Sequence, residues 1–164
     1  MTMWRSVLLV SLSLFAVGLN AADLAGAEAP DFVLKSVGGE NLRLSEYRGE
    51  VVLINFWTSW CGDCRESMPA LNDLYQRYRE VGFQVLSVNV DRKREDAAEM
   101  AANLGMRHPV LFDEGRKVSK QYEIDSLPVM LLVDREGIVR HVNEGYRRGH
   151  EAIYLQQLRA LLRE

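Results

Sequence analysis

The chain is poor in cysteine: of its 164 residues only Cys61 and Cys64 are of that type. Two thiols cannot supply the four ligands of a tetrahedral zinc site, and His108, His141 and His150 stand at no zinc-motif spacing to a partner. An excess of charge is missing too. Twenty Lys and Arg against 23 Asp and Glu give a net charge of −3, which leaves no basic field to hold nucleic acid or anionic lipid. The densest basic run, Arg92-Lys93-Arg94, is followed at once by Glu95 and Asp96, and reads as a solvated loop and helix start. There is no internal repeat, no low-complexity segment and no sign of a second domain. The length suits one domain with its own core.

Long apolar runs are also scarce. The longest, Val7 to Leu19, is too short for a comfortable membrane span. It follows a short segment carrying Arg5 and precedes the small residues Ala21-Ala22 and Ala25-Gly26-Ala27, which is the order of a secretory signal peptide. A signal over residues 1–22 is expected, with cleavage between 21 and 27 and a mature domain over 28–164. An uncleaved N-terminal anchor is the alternative. No cysteine near the junction offers a site for a lipid. Either way the thiols work outside the cytoplasm, in the periplasm or another exported location, where a pair does not stay reduced without help.

Short apolar stretches at Phe32-Val33-Leu34 and Leu42-Arg43-Leu44, about Gly38-Gly39, predict a small hairpin. Val51 to Trp57 is a near-continuous β-branched and aromatic run, suited to a central strand buried on both faces. From Cys64 onward Met68, Leu71, Tyr75 and Tyr78, with Leu74, recur at helical steps, and Pro69 is expected to kink that helix. A strand over 83–90, a helix over 94–104 closed by Gly105, a short strand over 109–112 and a short helix over 115–122 follow. Strands over 128–133 and 138–142 and a helix with Tyr154, Leu155, Leu158, Leu161 and Leu162 on one stripe complete the chain. The alternation predicts an α/β fold with a mixed sheet flanked by helices.

The cysteines thus fall at a strand-to-helix junction. There the unpaired amides and the positive dipole end of a helix stabilise a thiolate at Cys61, while Cys64, one turn in, can attack a mixed disulfide formed at Cys61. A merely structural pair is the competing reading, but so short a loop restricts the unfolded chain little. We read the motif as a redox pair, with no metal and no cofactor beyond the redox-active disulfide itself.

Trp60-Cys61-Gly62-Asp63-Cys64 resembles the thioredoxin active-site motif. "APDF" at 29–32, "RGEVVLINFWTSWC", "CRESMPALNDLY" and "SLPVMLLVDREGIV" resemble the TlpA/ResA-like exported thiol–disulfide oxidoreductases over nearly the whole mature chain. The resemblance implies a thioredoxin fold with an N-terminal hairpin and a helix-plus-strand insert near 94–112. It also implies Leu127-Pro128 as a cis-proline segment facing the cysteines, and a substrate-binding role for Trp60, Leu127 and Pro128. A monomeric reductant of protein disulfides is implied, with apocytochrome c as an example of a client. Its electron source would be a membrane thiol donor of the DsbD/CcdA type.

Three residues depart from the pattern. Asp63 stands where thioredoxin has proline and is assigned a modulating role. Asn55 replaces a buried aspartate, and Ser67 replaces the glutamate of many TlpA/ResA-like members. The base for Cys64 is therefore open, with Asp63 nearer the sulfurs than Glu66, which turns away on the helix. Two other functions share parts of the pattern. A thiol peroxidase would place a proline four residues before Thr58, where Ile54 stands. A copper carrier of this type separates its cysteines by three residues and adds a histidine ligand.

Overall fold

The computed structural model describes residues 21–164, so the expected export segment falls almost wholly outside the described residues. The fold is organised about β3 (Val51–Trp57), buried at every position. β4 (Phe83–Asn89) pairs with it in parallel and β6 (Val129–Val133) antiparallel. β5 (Val110–Phe112) continues the sheet parallel to β4, and the hairpin of β1 (Val33–Ser36) and β2 (Asn41–Arg43) joins β5 antiparallel. β7 (Val139–Glu144) closes the other side against β6. The order is β2-β1-β5-β4-β3-β6-β7, a mixed sheet, as expected from the sequence.

Period-two alternation divides the strands between two cores. Leu53, Trp57, Val85, Phe112 and Leu132 face a layer made by α1 (Gly62–Tyr78), α2 (Arg94–Asn103) and α4 (His150–Leu162). Ile54, Phe56, Leu86, Val88 and Leu131 face the opposite way, onto α3 (Lys117–Gln121) and onto Phe32, Leu44 and Tyr122. In α1 the stripe read from the sequence is the buried one: Cys64, Met68 and Leu71 are each fully buried. Burying Met68 and Leu71 stabilises the fold by roughly 1.5–3 kcal/mol each. The helix runs through Pro69 as one element from Gly62 to Tyr78.

The segment before β1 covers a sheet edge. Gly26 N donates to Val139 O, Val139 N to Ala27 O and Ala29 N to Gly137 O. The start of β7, at Val139, and the turn before it are thereby paired instead of left open to another chain.

Candidate active site

β3 delivers the chain to the cysteine motif, and the end of β4 fixes the connecting loop. Asn89 Nδ2 and Ser59 N both donate to Asp91 Oδ2 at 2.9 Å, and Asp91 N donates back to Asn89 Oδ1 at 3.0 Å. Helix α1 then starts at Gly62 with Cys61 as its N-cap, in an extended conformation (φ −80, ψ 113). Cys61 Sγ accepts the Cys64 amide at 3.1 Å, taking the place of a capping oxygen. The two sulfurs are joined in a disulfide. Their surroundings differ: Cys61 is 8% exposed and lines a groove, whereas Cys64 is 0% exposed within the core.

Leu127-Pro128 carries the cis peptide bond expected from the resemblance. The register pairs Phe56 with Val129, so one step further Pro128 lies beside Trp57, at the end of β3 that leads to the cysteines. Pro128 is buried, and its carbonyl accepts the Gly145 amide at 2.8 Å. The main chain of Leu127 makes no hydrogen bond among the described residues. Trp60, 72% exposed, Cys61, Asp63, Val90, Ile124 and Leu127 line one groove of about 550 Å³. That volume is within the range of roughly 300–1,000 Å³ of ligand pockets. The sequence-derived site residues therefore converge. The loop clamp, Asn89 and Asp91, was not anticipated; its only trace in the sequence is a polar pair after a buried strand.

Beneath Cys64 the two departures are neutral and fully buried. Asn55 Nδ2 contacts Met68 Sδ at 3.7 Å and donates to Ser87 Oγ at 3.4 Å, leaving Asn55 Oδ1 without a partner among the described residues. Ser67 Oγ donates to the Cys64 carbonyl at 2.9 Å. Glu66 is exposed and stands 3.9 Å from Arg148, away from the sulfurs. Tyr146, next to Gly145, is pushed up to about 12 by burial and by its hydrogen bond to Glu151, so it stays a neutral phenol. No group of three or more His, Cys, Asp or Glu is placed to hold a metal among the described residues.

Fold and paired cysteines together define a thioredoxin-like thiol–disulfide oxidoreductase. Residues 25–142 match the AhpC/TSA family, and the chain belongs to it. It is 36% identical over 126 residues to the thiol-disulfide oxidoreductase ResA of Geobacillus kaustophilus, covering 77% of this chain and 72% of that protein. Among solved structures it is similar to a protein from Chlorobium tepidum described as thiol:disulfide interchange protein DsbE. That match has a TM-score of 0.81 at 37% identity, covering 84% of this chain and 97% of the other. It is similar as well to the exposed lipoprotein thioredoxin Etrx1 of Streptococcus pneumoniae, with a TM-score of 0.71 at 29% identity over 80% of this chain and 100% of the other.

Proposed function

We propose that the protein is an exported reductant of protein disulfides in which Cys61 attacks and Cys64 resolves. The asymmetry of the pair carries this reading: Cys61 caps α1 and opens on the groove, while Cys64 is enclosed. In the dithiol form the helix amides and dipole stabilise a Cys61 thiolate. It attacks one sulfur of the substrate disulfide, and the other substrate sulfur departs as a thiolate. Cys64, whose proton that thiolate can take, then attacks Cys61 Sγ. The intermolecular S–S bond breaks, and the second substrate sulfur leaves and is protonated from solvent. Two electrons and two protons pass to the substrate, leaving the Cys61–Cys64 disulfide. An extended substrate docks beside Trp60 and Pro128 and pairs with the unbonded main chain of Leu127.

The donor that restores the dithiol would be a membrane protein of the DsbD/CcdA type, and apocytochrome c would be a client. Both follow from the resemblance. Export is supported by the signal-like order of residues 1–22 and by the likeness to an exposed lipoprotein. A protein acting in this way needs neither a cofactor nor a second subunit.

With Cys64→Ser, a mixed disulfide between Cys61 and substrate should accumulate, detectable by mass spectrometry. Trapping that requires Cys61→Ser instead would reverse the assignment. The peroxidase alternative meets an obstacle in the sheet. Ile54 sits inside β3, paired on both sides, where a proline would remove a ladder amide. Insulin reduction without thiol-dependent peroxide consumption is the expected pair of activities.

A further inference from the structure

Across the groove from the cysteine motif stand α3 and its N-cap residue Arg116, and two cations there, Arg116 and Lys120, line the groove. Arg116, Ser119 and Lys120 line the same groove as Cys61. Neither Arg116 nor Lys120 has an ion-pair partner among the described residues, although Arg43, Arg48, Arg77, Arg94 and Arg140 all do. The groove's carboxylates, Asp63 and Asp125, belong to the cysteine motif and to the loop leading into Leu127. The groove is therefore divided by charge, with its cationic part on α3 and its N-cap.

The backbone at Arg116 makes an arginine there a costly choice. Its φ of 56 and ψ of 39 lie in the left-handed region, directly after Gly115 at φ 77. Glycine or asparagine would meet that geometry with less strain. The side chain is exposed and makes no ion pair or side-chain hydrogen bond among the described residues, so no polar contact calls for an arginine. Strained residues gather where a side chain is needed in one place. The wall itself is held firmly: the buried carboxylate of Asp113 accepts Val118 N at 3.0 Å and Ser119 N at 2.7 Å.

We infer that Arg116 and Lys120 select substrates, favouring protein disulfides that carry an acidic residue next to the attacked cysteine. The inference rests on the reductase reading above and names the substrate class for the same groove. A carboxylate placed there would pair with cations that are already unpaired, in a part-enclosed site where screening is weaker than on open surface.

The test uses two synthetic peptide disulfides, identical except for Glu or Gln beside the cysteine, reduced by the dithiothreitol-reduced protein freed of excess thiol. In this single turnover the Glu peptide should be reduced with a second-order rate constant about three- to ten-fold higher at low salt. The preference should fall toward unity in 0.5 M NaCl, and in the double variant Arg116→Asn, Lys120→Gln. Asparagine suits the left-handed backbone, so that variant removes charge without new strain. Equal rates for the two peptides with the parent protein, or a preference that survives in the variant, would overturn the selection by α3 and leave the reductase reading standing. Failure to reduce either peptide would overturn both.

Discussion

Asp63 is the charged residue between the two cysteines of the motif. It is exposed in the first turn of α1, where the helix dipole favours a carboxylate, and it shares the groove with Cys61. A negative charge beside the attacking sulfur disfavours the thiolate, and so disfavours the reduced pair relative to the disulfide. Asp63→Asn removes the charge while nearly keeping the shape. The reduction potential of the Cys61–Cys64 couple should then become less negative by on the order of 10 mV at low ionic strength, and by less as salt is added. Equilibration with a glutathione redox buffer measures this. An unchanged or more negative potential would make Asp63 a solvated turn residue. The neutral pair beneath Cys64 acts at the same scale. Asn55 and Ser67 carry no carboxylate, so in the mechanism proposed above the departing substrate sulfur takes the Cys64 proton.

At the scale of elements, the wall opposite the cysteines depends on one buried carboxylate. Asp113→Ala would leave the amides of Val118 and Ser119 without their acceptors, a loss of about 2–4 kcal/mol. Asp113→Asn keeps one acceptor and should lose roughly half as much. Urea unfolding of the three proteins would check the order, and a parent-like Ala variant would show that α3 holds without this clamp. What the sequence revealed at this scale depended on pattern length. The apolar run of β3, broken only at Asn55, was legible by its length, and the five-residue stripe of α1 because it repeats one period several times. α3 has only five residues and enters through two left-handed positions, so no period could announce which side would line the groove. The cysteine pair and Leu127-Pro128 were legible as motifs, whereas Arg116, Lys120 and Asp113 reach the site through long-range packing that local sequence does not encode. The strand order was equally hidden. Nothing in Val110–Phe112 says that it bridges β4 to the N-terminal hairpin.

For the molecule as a whole, that bridge contains a built-in sensitivity to acid. His108 precedes β5 at a cavity of about 380 Å³ between the hairpin and the insert. Its ring is 4% exposed, stands edge-on to Tyr75, and leaves Nε2 without a partner among the described residues. Burial lowers its pKa from 6.5 to about 4, against a small opposing effect of the Pro109 carbonyl. The unfolded chain therefore takes up a proton near pH 6.5 and the native one only near 4. Stability is full above the higher value and falls as the pH drops through this window, by about 3 kcal/mol in all. His108→Gln cannot titrate, so its stability relative to the parent should rise by about 2–3 kcal/mol between pH 7 and pH 4.5. Denaturant unfolding at the two pH values measures it, and a constant difference would show that His108 titrates alike in both states.

The strip of chain that covers the edge of β7 also decides where anything N-terminal to it must leave. Ala21 and Ala22 line a recess together with Asp125 and Ser126, and those two residues belong to the groove beside Cys61 as well. The described residues thus start beside the groove that holds Cys61, and the chain that precedes β1 links that groove to the outer side of the sheet at Val139.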